Sequence, residues 1–249
     1  MRSVVFTDLD GCLFGGSSVE PTLEPVATDR AGVPCSYQSP RQARLFEFLM
    51  SANHVVPVTG RSLSAFERVA LRFTDFAIVH HGAAVLDASR IPCETYHDLV
   101  RDELAALHPQ LDEVWARTRD WIARVGAPLR LYRQQVREFT VEVCVKSADR
   151  DASSLEPWAA EILAWWRTVS RTRVHFNGNN LAIMPARVGK REAVAWVRNR
   201  LEEEHGAIMT VGLGDSVSDL DFMRDCDCYI VPQRSQLDEA YSMGAMGIM

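Results

Sequence analysis

The chain has 249 residues, enough for one large domain or two modest ones. With 47% hydrophobic and 24% charged residues and a formal net charge of -6, it argues against a broad basic surface, and no nucleic-acid partner is expected. No Cys-x-x-Cys pair, zinc-spaced His cluster or signal peptide occurs, and no run nears the roughly 18 apolar residues of a membrane span, so reduced thiols in a cytoplasmic protein with no membrane partner are expected.

In chain order, Val4-Val5-Phe6 reads as a buried strand running into Asp8-Leu9-Asp10-Gly11. Residues 14 to 40 carry Gly15-Gly16-Ser17-Ser18 and four prolines, which predicts a long loop: a flap over a site or a surface excursion. Ser39-Pro40 opens a helix with Ala43, Leu45, Phe46, Leu49 and Met50 at helical spacing. Val55 to Val58 returns to strand and ends at Thr59-Gly60-Arg61-Ser62. Ser62 or Ser64 caps a further helix through Phe66, Val69, Ala70 and Phe73. Phe76 to Val79 is a third buried strand, closing at His80-His81-Gly82. Strands alternating with helices predict a parallel sheet covered on both faces.

The middle changes character. Residues 97 to 125 read as a long helix or helical pair with Leu104, Leu107, Leu111, Val114, Trp115 and Ile122 on its apolar face. Phe139 to Val145 alternates as a half-exposed strand does, and a tryptophan-rich helix spans about Leu155 to Val169. Two strands, Arg173 to Phe176 and Leu181 to Met184, flank the hairpin turn Asn177-Gly178-Asn179-Asn180. This block reads as a separate α+β unit inserted into the parallel one. Lys190 then starts a helix, Ile208 to Leu213 is a strand ending in Gly214-Asp215-Ser216-Val217-Ser218-Asp219, and Cys228 to Val231 is a last strand.

Four polar clusters thus sit at strand ends or a helix start: Asp8/Asp10, Thr59-Gly60, Lys190 and Asp215/Asp219. Ligands bind at the carboxyl ends of the strands in open α/β sheets, so distant segments can converge there. Close carboxylates repel one another and take up protons unless a cation lies among them. Mg2+ prefers oxygen ligands and bridges to phosphate, and with Lys190 it would let a carboxylate approach a phosphate dianion. Gly60 offers an unobstructed backbone N–H and Thr59 a hydroxyl.

In order, these clusters resemble the motifs of the haloacid dehalogenase (HAD) superfamily of phosphohydrolases, over residues 1–83 and 186–249. Residues 84–185 resemble the larger α/β cap of sugar-phosphatase and Cof-like members. Asn177 through Pro185, followed by Gly189-Lys190, look like the matching stretch of sucrose-phosphate phosphatases. The resemblance implies an α/β fold: a Rossmann-like parallel-sheet core, HAD-like, with an inserted α+β cap that closes over the cleft and selects the substrate. It implies a Mg2+-dependent phosphatase acting on a small phosphorylated metabolite, a sugar phosphate, as a monomer or homodimer. Asp8 would be the nucleophile forming an aspartyl phosphate, and Asp10 the general acid and base, its carbonyl also binding metal. Asp8 and Asp215 would be carboxylate metal ligands, with Asp219 a further ligand or a partner behind them. Thr59, Gly60 and Lys190 would hold phosphoryl oxygens. Asn177, Asn179 and Asn180 read equally as a cap substrate loop or a plain hairpin turn. Two departures stand out: Cys12 where many relatives have threonine, and Ser218 where many have asparagine.

Rival readings are a sugar-phosphate mutase on the same core, against which Thr59-Gly60-Arg61 stands, and a non-catalytic binding protein, against which the retained Asp8, Asp10 and Asp215 stand. Arg61 and Ser62 read as an ion pair or helix cap. Arg130, Arg133 and Arg137 read as solvated arginines rather than an anion patch, and Trp158, Trp165 and Trp166 as packing. His80 and His81, adjacent on a strand, would point to opposite faces and not share one ion.

Overall fold

The computed structural model describes residues 2–16, 23–52, 54–149, 151–166, 171–177 and 180–246. They gather into two compact units, Met1–Tyr96 with Lys190–Met249, and His97–Gly189.

In the first unit, the apolar opening run forms β1 (Arg2–Thr7), buried from Val4 onward. The expected long loop contains a hairpin instead, β2 (Glu24–Thr28) paired antiparallel with β3 (Pro34–Gln38). Its turn is closed locally: the Asp29 carboxylate accepts the N–H groups of Ala31 and Val33, and Gly32 takes a φ of +82°. The prolines that suggested a loop are tolerated because Pro34 opens its strand and Pro25 lies beside a bulge. Residues 17–22 of that expected loop lie outside the described residues.

Helix α1 (Pro40–Ala52) and strand β4 (His54–Pro57) follow as expected. The next helix does not run to Phe73: α2 (Leu63–Phe66) is a single turn capped by Ser62. The Ala70 N–H donates to the Val26 carbonyl, and Val69 bridges Ala27, so pairing with β2 draws the chain out of the helix. β5 (Ala77–Val79) is fully buried but is not a regular member of the parallel sheet. It pairs antiparallel with β6 (Ala84–Leu86) and meets the β4 side through one parallel bridge, Val58 to Ile78.

The second unit contains most of α3 (Glu94–Val125), one helix continuous through Pro109. Strand β7 (Leu129–Val136), which its charged residues concealed in the sequence, pairs with β8 (Phe139–Ser147). A 3-10 turn at Ala152–Leu155, α4 (Glu156–Trp158), a π-turn at Ala159–Leu163 and α5 (Ala164–Trp166) make up the tryptophan-rich helix. β9 (Thr172–Asn177) and β10 (Asn180–Pro185) complete an antiparallel sheet of order β7-β8-β10-β9. Val143, Val145, Leu181 and Ile183 share one face of this sheet and pack with Leu111, Val114 and Trp158. By the same register Arg130, Tyr132, Glu142, Cys144, Lys146 and Asn180 lie on the other face. β8 is therefore not half-exposed: Glu142 on that second face is also buried, which pushes its carboxyl up to about 7. Arg130 and Arg133 fall on opposite faces, and the Arg133 guanidinium lies over Trp115 and pairs with Asp112, so the cap arginines form no common patch.

The chain returns to the first unit with α6 (Lys190–His205) and β11 (Ile208–Leu213). Next come a 3-10 turn at Val217–Asp219, α7 (Leu220–Met223), β12 (Cys228–Ile230) and α8 (Gln236–Met246). The core sheet is wholly parallel, in the order β12-β11-β1-β4. Thr7 is in register with both Leu213 and Pro57, so β1, β11 and β4 end on one edge. No helix among the described residues is long and apolar enough to cross a membrane.

Trp158 is fully buried, and its Nε1 donates to Thr118 Oγ1 at 3.1 Å. Trp158→Ala should cost about 3–5 kcal/mol, read as a lower urea midpoint for the second unit.

Candidate active site

The sheet edge at the ends of β1, β4 and β11 gathers the predicted site residues of the first unit. Asp8 follows β1; its N–H donates to the Leu213 carbonyl at 2.8 Å, and its own carbonyl accepts from Thr7 Oγ1 at 2.7 Å. Gly11 turns the chain with a φ of +85°, and a Cβ there would lie 2.2 Å from Asp215 Oδ2. Only glycine permits both the turn and the nearby carboxylate.

Lys190, the first residue of α6, is buried with its Nζ between two carboxylates. It donates to Asp8 Oδ1 at 2.7 Å and to Asp219 Oδ1 at 2.6 Å. The other Asp219 oxygen accepts from Ser216 N at 3.1 Å and Ser216 Oγ at 2.8 Å. Asp219 is fully buried with both oxygens engaged, which suits a partner behind the site. Asp215 is the less buried aspartate of that loop, and its carbonyl is fixed by the Leu237 N–H at the start of α8. Ligand atoms of Asp8, Cys12 and Asp215 all lie within 4.8 Å of one another. Two carboxylates converging in a space kept open by Gly11 fit a divalent cation.

Thr59 is buried after β4, its N–H on the Ile78 carbonyl and its Oγ1 accepting the Arg61 N–H at 3.1 Å. The segment is clamped by a turn, where the sequence predicts the end of a strand. His80, His81 and Gly82 have φ of 53°, 55° and 96°; the His80 N–H donates to the Arg61 carbonyl and the His81 N–H to the Thr59 carbonyl. Two successive non-glycine residues in the left-handed region cost energy and persist only when their surroundings enforce them. The two rings diverge. His80 Nε2 accepts the Leu63 N–H, whereas the His81 ring lies against Gly60, where a Cβ would be 2.3 Å from Cε1.

Arg61 forms the expected ion pair, and its partner is Asp10. Nε donates to Oδ2 and Nη2 to Oδ1, each at 2.7 Å, while Nη2 also donates to Ser36 Oγ at 2.8 Å. The guanidinium lies over the Phe14 ring, 5.0 Å from its centroid. Ser36 lies on β3, and that hairpin is tied to the Asp8–Phe14 turn by Gln38 Nε2 donating to the Leu13 carbonyl and by paired Gly15–Tyr37 hydrogen bonds. Ser36 and Ser216 are not recognisable as site residues from the sequence. Neither carries a motif of its own, and both are found only through the partner they bind.

Of the three cap asparagines, Asn177 ends β9 and Asn180 opens β10, paired in register. Asn180 Oδ1 is buried and accepts no hydrogen bond among the described residues. Asn179, with Gly178, lies outside the described residues.

No protein-family model matches the chain, and no curated protein matches it. Solved structures do. The C-terminal domain of C. albicans trehalose-6-phosphate phosphatase aligns with a TM-score of 0.60 and 16% identity, over 100% of this chain and 78% of that one. A sucrose-phosphatase from Synechocystis, in complex with sucrose and phosphate, aligns at 0.54 and 15% identity, over 99% of this chain and 98% of that one. A haloacid dehalogenase-like hydrolase from Bacteroides thetaiotaomicron aligns at 0.51 and 14% identity, over the whole of both chains. The chain has the haloacid dehalogenase fold.

Within this haloacid dehalogenase fold the acid cluster is electrostatically tense. Burial, with the negative charges of Asp219 and Asp10, holds the Asp8 carboxyl above the ordinary range despite Lys190. Burial works against the Lys190 charge too, but Asp219 and Asp8 outweigh it and keep the ammonium protonated. Burial and Asp219 raise Asp215 from 3.8 to about 6. The folded state therefore binds this proton more tightly than the unfolded chain. The stability that Asp215 contributes is fully present below about pH 4 and is lost as pH rises through about 6. In chelator, the thermal midpoint of the wild type should fall relative to Asp215→Asn across that window. Lys190→Met leaves two buried carboxylates unneutralised and should cost about 3–5 kcal/mol near neutral pH, measured by urea unfolding.

Proposed function

We propose that the chain is a Mg2+-dependent phosphatase that releases phosphate from a small phosphorylated metabolite by way of an aspartyl phosphate on Asp8. The observation that carries this reading is the Asp8 carboxylate at the end of β1, with Lys190 Nζ on its Oδ1 and Asp215 beside it. The hydrogen bond on Oδ1 leaves the second oxygen as the attacking atom. Attack forms the Asp8 O–P bond as the P–O bond to the alcohol breaks, and water then cleaves the acyl phosphate.

Asp10 delivers a proton to the departing alkoxide and afterwards takes one from the attacking water. Arg61 donates to both Asp10 oxygens and so fixes the orientation of this carboxyl group. Lys190, the Thr59 hydroxyl and the Gly60 N–H bind phosphoryl oxygens and supply charge stabilisation as the phosphoryl group transfers. Asp8, the Asp10 carbonyl and Asp215 would hold Mg2+, with Asp219 orienting Lys190 from behind. The ion would offset the carboxylate repulsion and polarise the phosphoryl group.

The substrate class we assign is a sugar phosphate, read by the inserted segment 84–185. Two of the similar structures are of enzymes named for sugar phosphates, and the buried Asn180 Oδ1, without a hydrogen-bond partner among the described residues, suits a sugar hydroxyl. Asn177 and Asn179 are proposed alongside it. The test is phosphate release from a panel of phosphorylated sugars with Mg2+ and no bisphosphate activator. Asp8→Asn should lower turnover by more than about a thousandfold. Unchanged turnover would remove Asp8 from the nucleophile role, and isomerised product without free phosphate would overturn hydrolysis.

A further inference from the structure

The cation position contains one donor that a hard-ion site does not require. Cys12 is 2% exposed, and its Sγ has no hydrogen-bond partner among the described residues. That sulfur faces the carboxylates of Asp8 and Asp215, with all three ligand atoms inside 4.8 Å. The backbone around it is fixed: Leu13 and Phe14 N–H groups donate to the Leu9 carbonyl, and Gln42 Nε2 donates to the Cys12 carbonyl at 3.4 Å. The sulfur is thus held in place by contacts that do not involve it.

We propose that Cys12 makes this site thiophilic, so that Asp8, Cys12 and Asp215 together take a soft divalent cation such as Cd2+ or Zn2+ in competition with Mg2+. This rests on the reading of the acid cluster as a cation site. Thiolate ligands select soft and borderline metals, whereas carboxylates alone favour hard ones. Two carboxylates and one sulfur supply three of the four ligands of a tetrahedral ion and leave a position open. Coordination forms a metal–sulfur bond and passes the thiol proton to solvent, with no change of oxidation state. The chain would then be held inactive by soft ions that occupy the position Mg2+ needs.

The remaining cysteines give a background that comparison with the Cys12 variants subtracts. Cys35 and Cys228 are exposed and Cys93, Cys144 and Cys226 are half-buried, and none joins a comparable donor group among the described residues. The experiment is a Cd2+ titration of the full chain, following the ultraviolet sulfur-to-cadmium charge-transfer band, with wild type, Cys12→Ser and Asp215→Asn compared. Wild type should show a band that excess Mg2+ removes. Cys12→Ser should lose it and bind Cd2+ more than about tenfold more weakly, and Asp215→Asn should weaken it. Cys12→Ala serves equally if the serine variant folds poorly. An unchanged band in Cys12→Ser, or a Cys12-dependent band indifferent to both Mg2+ and Asp215→Asn, would overturn the proposal. If Mg2+ stabilises wild type and Cys12→Ser alike while Cd2+ gives no Cys12-dependent band, the thiol assignment fails and the cation site stands. If neither ion gives a response sensitive to Asp215→Asn, the cation reading itself falls.

Discussion

A lysine ammonium buried between two aspartates is the constraint on which the rest of the first unit depends. Lys190 bridges Asp8 and Asp219, residues 182 and 29 positions away, and none of the three charges is tolerable there without the others. Meeting that requirement fixes much else. Asp219 must lie deep enough to reach the lysine, so Ser216 satisfies its second oxygen from the start of the same turn. Gly214 must carry no side chain, since a Cβ would fall 2.4 Å from the Asp219 Cβ and 2.5 Å from Met223 Sδ. Glycines, serines and turns of this loop follow from where one charge has to be.

A second charge pair organises the neighbouring edge. Arg61 grips Asp10 with two nitrogens and rests on Ser36 and Phe14, so the β2–β3 hairpin is joined to the turn carrying both aspartates. Thr59 and Gly60 sit between this pair and the left-handed His80–His81 turn, whose backbone holds them and whose ring occupies the space that only a glycine leaves. Strain in that turn is maintained by burial and hydrogen bonding on either side.

What could be read from the sequence follows a physical division. β1, β4 and β11 are short apolar runs whose burial alone specifies them, and the four polar clusters are conspicuous because each interrupts or follows such an element. Lys190 is conspicuous as a helix opening. What escaped depended on partners. β7 looks like a charged surface stretch until β8 lies beside it. The helix after Ser62 has good periodicity but yields to pairing between Val69 and Ala27. The β2–β3 hairpin hides behind prolines that a bulge and a strand start accommodate. Arg61 could be recognised as an ion-pair former, but nothing local identified Asp10 as its partner, 51 residues earlier.

The 182-residue separation between Asp8 and Lys190 also has a consequence in time. A chain emerging at about 5–20 residues per second makes Asp8 roughly ten to forty seconds before its lysine exists. Through that interval the sequence around Asp8 has neither its counter-charge nor β11, the strand that pairs with all six residues of β1. The second unit, whose sheet is assembled from segments closer in sequence, is complete in covalent terms before Lys190 is added. The acid cluster therefore cannot form until Lys190 and Asp219 have been made, although its first aspartate is among the earliest residues of the chain.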